Sequence, residues 1–198
     1  MAAGRLIAFE GLDQSGKQTQ AEWLVASLRA AGHAVHTLSF PDYATSIGSE
    51  IGHALQGQRG YGADVLQLLY VANRYEHAPA IRAWLADGAV VVADRYAASS
   101  LAYGEAQGLD LAWLSDAQRL LPIADLTFLL DIPPATSLER KRAARDKFER
   151  DLPLLARVRE SYIRQATGNG WHRVDGASAP DLVRDDIVSA VRARLGLL

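Results

Sequence analysis

The segment Phe9-Glu10-Gly11-Leu12-Asp13-Gln14-Ser15-Gly16-Lys17-Gln18-Thr19 constrains this 198-residue chain more than any other. It holds G-x-x-x-x-G-K directly after an apolar run, Leu6–Phe9, and directly before a helical period, Gln18–Ala31. Gly11 and Gly16 reach backbone angles that other residues resist, which turns amide N–H groups inward around an anion. A helix that starts there adds the positive end of its dipole. Lys17 supplies a mobile charge of the kind that meets β- and γ-phosphates. The chain must therefore run strand, tight loop, helix at this point, and residues Gly11 to Thr19 are the expected nucleotide contacts. One position departs from the pattern. A Ser or Thr usually follows the lysine and holds Mg²⁺ through its hydroxyl. Here Gln18 follows, and Thr19 comes one place late, about 100° round a helix axis.

The rest of the chain repeats the strand-helix alternation. Leu6–Phe9, Val35–Phe40, Ala89–Ala93, Leu126–Ile132 and a weaker Trp171–Val174 are short, apolar and not clearly alternating, as for strands covered on both faces. Helical periods occupy Gln18–Ala31, Val65–Asp87, Pro134–Ala144, Leu152–Thr167 and Pro180–Leu195. Such alternation implies a parallel sheet wrapped by helices, with ligands at the carboxyl ends of the strands. No repeat, low-complexity tract or linker divides residues 1–198, so one domain is expected. There is no cysteine, which excludes disulfide frameworks, thiol catalysis and Cys-ligated zinc. A formal net charge of −2 argues against a general nucleic-acid or membrane-surface binder. No apolar run approaches the ~18 residues of a membrane span, and the first residues lack a signal peptide's apolar core, so a cytoplasmic location is expected. Only three lysines occur, at 17, 141 and 147; the remaining basic residues are arginines, which suit bidentate phosphate recognition. GC-rich coding would produce the same bias.

Two further constellations carry chemistry. Val90–Ala93 runs into Asp94-Arg95-Tyr96, so a carboxylate and a guanidinium leave the end of a buried strand. Beside a phosphate loop, the first can hold Mg²⁺ and the second can clamp phosphoryl oxygens; elsewhere the two would read as a structural ion pair. Tyr70 and Arg74 stand four apart in a helical period and share a face, so a ring and a charged fork point the same way. A core aromatic beside a surface arginine is the plainer reading of that spacing. No His pair has metal-ligand spacing; His33 and His36 fall on opposite sides of a strand.

Taken together, these segments resemble the thymidylate kinase (dTMP kinase) family of P-loop nucleoside monophosphate kinases. Residues 9–20 look like that family's F-E-G-x-D-x-x-G-K-x-T-Q, and Phe40-Pro41 stands where it carries F-P after the second strand. Residues 70–76 resemble its aromatic-x-A-x-R helix, and Asp94-Arg95-Tyr96 with Ser99, Ser100 and Tyr103 resembles its D-R-Y…S…A-Y stretch. Residues 125–133 and 139–150 look like its fourth strand and lid, and Val174-Asp175-Gly176 like its last strand.

The resemblance implies the P-loop NTPase α/β fold: a parallel sheet of about five strands covered by helices on both faces, with a mobile lid near 140–151. It implies transfer of the γ-phosphoryl group of ATP to dTMP with Mg²⁺, by a homodimer. Lys17 and the loop amides would bind ATP. Asp13 would meet the acceptor's sugar 3′-hydroxyl or the metal shell, and Asp94 would organise Mg²⁺ through water. Arg74 would grip the acceptor phosphate, Tyr70 would stack on thymine, and Arg95 would bridge donor and acceptor phosphates. Phe40 and Pro41 would line the acceptor site. Ser99 or Ser100 would reach the base edge, and Tyr103 would crowd the sugar's 2′ position or simply pack. Some relatives carry a catalytic arginine inside the phosphate loop, at the position of Gln14. Glutamine cannot neutralise charge, so the lid should supply it, from Arg145 or Arg150. Two rival functions stay open at this level: a kinase for another nucleotide or nucleoside, and a nucleotide-binding regulator whose catalysis has decayed.

Overall fold

A computed structural model describes residues 4–140 and 151–198. Five strands form one sheet: β1 (Arg5–Glu10), β2 (Val35–Ser39), β3 (Val90–Asp94), β4 (Leu126–Asp131) and β5 (His172–Asp175). Their spatial order is β2-β3-β1-β4-β5, and every neighbouring pair is parallel. The five apolar runs are thus the five strands. Around them lie α1 (Lys17–Ala30), α2 (Ser46–Leu55), α3 (Ala63–Ala86), α4 (Ala97–Ala106), α5 (Leu111–Gln118), α6 (Pro134–Arg140), α7 (Leu152–Asn169) and α8 (Pro180–Leu195). The sequence periods lacked α2, α4 and α5. The helix at Pro134 is described to Arg140, and its expected remainder to Ala144 lies outside the described residues.

Alternation along each strand builds two cores. On β1, Ile7 and Phe9 face α1 and α8, where they meet Leu24, Leu28, Ile187 and Val191. Leu6 and Ala8 face the other way, toward Ala78 and Ile81 of α3. On that same side of β4, Leu129 packs with Ala98 and Ala102 of α4 and with Leu155, Val158 and Tyr162 of α7. Both faces are covered, which is why the strands read as continuous apolar runs.

The order of strands sets where a ligand can sit. The chain leaves β1 between β3 on one side and β4 on the other, so the carboxyl ends of these three strands border a crevice. Phe9 lies in register with Asp94 and with Phe128. The loops that follow, with Gly11 to Gly16 after β1 and Arg95 after β3, therefore start side by side.

Candidate active site

The phosphate loop is held open by two glycines. Gly11 has φ +138°, and a Cβ there would run into the carbonyl oxygen of Leu130 on β4. Gly16, at φ +95°, ends the loop and starts α1 with no side-chain cap and no acidic residue in the first turn. The helix thus presents its first amides and its positive end to the loop. Lys17 follows at once. Its ammonium is buried and donates to the carbonyls of Gly11 (3.1 Å) and Leu12 (2.7 Å) and to Ser15 Oγ (3.4 Å). Burial, and then the like charge of Arg95, push the Lys17 pKa down to about 8. Two side chains of α6 brace the loop from outside: Ser137 donates to the Asp13 carbonyl, and Arg140 to the carbonyls of Gln14 and Gly176.

Arg95 is the hinge of the site. Its backbone adopts φ +63°, unusual for an arginine, and its amide donates to the Phe9 carbonyl at 2.8 Å. Its guanidinium pairs with Asp13 Oδ1 at 2.6 Å and reaches Ser99 Oγ and Tyr162 Oη, each at 3.3 Å. Burial opposes its charge, but Asp13 and the surrounding oxygens outweigh that and hold its pKa above the usual arginine value. Arg95 pairs with Asp13, across the crevice, and not with its chain neighbour Asp94. Behind it lies Glu10, wholly buried, which accepts from the amides of Tyr96 and Ser99 and from the Ser99 and Tyr162 hydroxyls.

Beside Arg95 opens a cleft with polar groups converging on it. Asp13, Arg74, Arg95 and Tyr103 line it, with Phe40 and Pro41 joined by a cis peptide bond and Tyr70 opposite. Arg74 is buried against the Phe40 ring and donates to Ser100 Oγ at 2.7 Å; its Nε has no partner. Burial lowers its pKa, yet an arginine stays charged throughout the working range. The Arg95 guanidinium stands over the Tyr103 ring at 5.6 Å. A phosphate cradle and a cleft lined by arginines and aromatic rings thus share one wall, made of Asp13 and Arg95.

The thymidylate kinase family profile matches residues 9–187, which takes in both halves of this site. The chain belongs to the thymidylate kinase family. It is 33% identical to the thymidylate kinase of Plasmodium falciparum over 95% of its own length and 90% of that protein's. It is also 33% identical to the Homo sapiens thymidylate kinase, covering 93% and 88%. The solved thymidylate kinase of Candida albicans superposes with a TM-score of 0.89 at 27% identity, covering 100% of this chain and 95% of that one. The fold expected of a thymidylate kinase, a P-loop NTPase sheet with helices on both faces, is the fold observed.

Residue by residue, the fold gathers Asp13, Arg95, Arg74, Tyr70, Tyr103, Phe40 and Pro41 around one cleft, with Lys17 in the adjoining phosphate loop. Ser99 and Ser100 line the cleft, but their hydroxyls are engaged with Glu10 and Arg74; they steady charged groups. Leu12 is buried in the core and contributes its carbonyl, while Gln14 and Thr19 are exposed. Gln18 lies on the solvent face of α1 and donates to Glu22 at 3.0 Å. Arg145 and Arg150 lie outside the described residues, as does most of the expected lid. Glu10, Tyr43, Leu55, Gln67 and Tyr162 belong to the site's surroundings without having been singled out from the sequence. Glu10 sits inside the F-E-G motif, Tyr43 follows Phe40-Pro41 and Gln67 precedes Tyr70 on α3, whereas Leu55 and Tyr162 lie on α2 and α7, away from the motifs.

The residues present suit Mg²⁺. Asp94, at the carboxyl end of β3, has a buried Oδ1 with no hydrogen-bond partner. Among the described residues no group of three or more His, Asp or Glu side chains could cage a metal. One carboxylate, with water and phosphate oxygens completing the shell, is the arrangement Mg²⁺ favours.

Proposed function

We propose that this site moves the γ-phosphoryl group of ATP to dTMP, giving dTDP and ADP. One observation carries the reading: Arg95 and Asp13 belong both to the phosphate loop's rim and to the acceptor cleft, so donor and acceptor phosphates meet at one guanidinium. The loop amides and Lys17 bind the donor phosphates. Arg74 holds the acceptor phosphate, the Tyr70 ring covers the base, and Tyr103 fills the space a 2′-hydroxyl would need. Arg95 bridges the two phosphates and offsets the charge that builds between them during transfer. Asp94 would hold Mg²⁺ through water, and Gln18, which donates to Glu22, would stay outside that shell. Mg²⁺ supplies charge neutralisation at the phosphate oxygens when bound. Arg145 or Arg150 supplies the charge that Gln14 cannot.

Family resemblance supports further points: residues 1–198 act as one domain with a lid near 140–151, as a cytoplasmic homodimer. No described helix is long and apolar enough to cross a membrane. The test is ATP turnover against dTMP, dUMP, UMP, CMP, AMP and GMP. We expect dTMP to be preferred, with dUMP a measurable substrate, because one methyl group is worth only about 1 kcal/mol. UMP should be poor, and Tyr103→Ala should relax that rejection while Tyr103→Phe keeps it. Equal turnover of dTMP and AMP would exclude the assignment.

A further inference from the structure

Tyr162 lies on α7, far along the chain from the catalytic motifs, and does not itself line the acceptor cleft. Its ring is fully buried among Leu12, Ala102 and Val158, where a phenylalanine would pack as well. Its hydroxyl does something packing does not require. It stands 2.8 Å from Ser99 Oγ, 3.1 Å from Glu10 Oε2 and 3.3 Å from Arg95 Nη1. Ser99 Oγ in turn donates to Glu10 Oε2 at 2.6 Å and accepts from the same Arg95 nitrogen at 3.3 Å.

We propose that the Tyr162 hydroxyl and the Glu10 carboxylate are positioning groups that aim the Arg95 guanidinium at the transferring phosphoryl group. The inference rests on the role given to Arg95 above. One proton arrangement accommodates every contact: Ser99 donates to Glu10, the single Tyr162 proton is shared between Glu10 Oε2 and Ser99 Oγ in a three-centre bond, and both hydroxyl oxygens accept from Arg95. Glu10 also accepts from two backbone amides, Tyr96 and Ser99, which anchor it to the first turn of α4. The guanidinium is thereby held from two sides. Asp13 takes Nη2, and the hydroxyl pair takes Nη1. The second hold matters because the first is conditional: Asp13 lines the cleft and faces the acceptor. A left-handed arginine backbone, which the chain does not favour by itself, persists where its surroundings over-determine it. Two hydroxyls link Glu10 to the guanidinium, so Glu10 supports Arg95 without pairing with it directly.

The test compares wild type, Tyr162→Phe, Arg95→Ala and the double variant in a dTMP kinase assay, with guanidinium proton exchange followed by ¹⁵N NMR. Tyr162→Phe should lower kcat about ten-fold with KM for ATP nearly unchanged, because orientation and not donor binding is lost. Its Arg95 guanidinium protons should exchange with water about ten-fold faster. The double variant should be no slower than Arg95→Ala alone, since Tyr162 acts only through Arg95. Glu10→Gln, which keeps the shape and removes the charge, should reproduce the kcat loss should Tyr162→Phe prove unstable. Wild-type kcat in both Tyr162→Phe and Glu10→Gln, unchanged exchange, or losses that multiply in the double variant would overturn the proposal. Failure of wild type to phosphorylate dTMP would instead defeat the reading of function, and the exchange measurement would still decide whether Tyr162 holds Arg95.

Discussion

Lys17 carries its charge in surroundings that oppose it. Burial is the main cause, and Arg95 adds like-charge repulsion, so the pKa sits at about 8 against an ordinary 10.5. Between those values the unfolded chain binds a proton that the folded one does not. The penalty on stability is therefore fully present below about pH 8 and is relieved as pH rises toward 10.5. For catalysis the consequence runs the other way, because phosphate recognition needs the charged form. We expect kcat/KM for ATP to fall above about pH 8, since that parameter reports the free enzyme. The kcat profile should stay flat over the same range, because bound phosphates restore the lysine's charge. Lys17→Arg, permanently charged, should lose the alkaline limb even if its overall rate is lower. A limb that survives in Lys17→Arg would assign the titration to another group.

Elements are tied to one another by charged groups at strand ends. Asp131 closes β4, with its carboxylate nearly buried. It accepts two hydrogen bonds from Arg159 of α7, at 2.7 and 3.0 Å, and two from Arg173 of β5, at 2.6 and 3.2 Å. Burial alone would raise its pKa; the bonds from Arg159 and Arg173 outweigh that and lower it. Its contribution to stability is present above about pH 4 and is lost as pH falls through the lowered value. Asp131→Asn should cost about 2 kcal/mol at pH 7 and lower Tm by roughly 4–8 °C. That difference should shrink on acidification below about pH 4 if the charge is what matters. A Tm equal to wild type at pH 7 would show that the arginines find other partners. The same scale explains which helices were legible. α8 announces itself with Pro180 and ends at Gly196 in a left-handed cap. α4 does not, because Ala98, Ser99, Ser100, Ala102, Gly104 and Ala106 are buried on nearly every side and leave no apolar stripe to read. α2 carries Gly48 and Gly52, residues a helix ordinarily avoids; Gly48 is needed because a Cβ would strike the Asp42 carbonyl.

Across the whole molecule, the proposed reaction draws charge for the transition state from more than one part of the chain. Gln14 is exposed at the top of the phosphate loop, where its carbonyl accepts from Arg140, and its side chain offers no charge. The remaining source on the sequence is the 141–150 segment. Arg145→Ala or Arg150→Ala should therefore lower kcat by on the order of 10²-fold, with a smaller rise in KM for ATP. Adding Gln14→Arg to the impaired variant should recover part of the loss. Changes within two- or three-fold in both single variants would leave Arg95 to carry that charge.

The sequence by itself determined the parts that are contiguous. The phosphate loop needs Gly11, Gly16 and Lys17 at fixed spacing between a strand and a helix, so eleven residues specify both geometry and ligand class. Tyr70 and Arg74 needed only the helical repeat. What the tertiary structure decided is which distant groups meet. Arg95 pairs with Asp13 and not with adjacent Asp94, because its backbone turns left-handed after β3 and aims the side chain back across β1. Ser99 and Ser100 anchor charged groups, because α4 presents them to Glu10 and Arg74. Tyr162 reads in sequence as an ordinary core aromatic of an amphipathic helix, and its ring is that. Only the packing of α7 on α4 brings its hydroxyl within reach of Glu10 and Arg95, and no local pattern encodes a contact between residues so far apart in the chain.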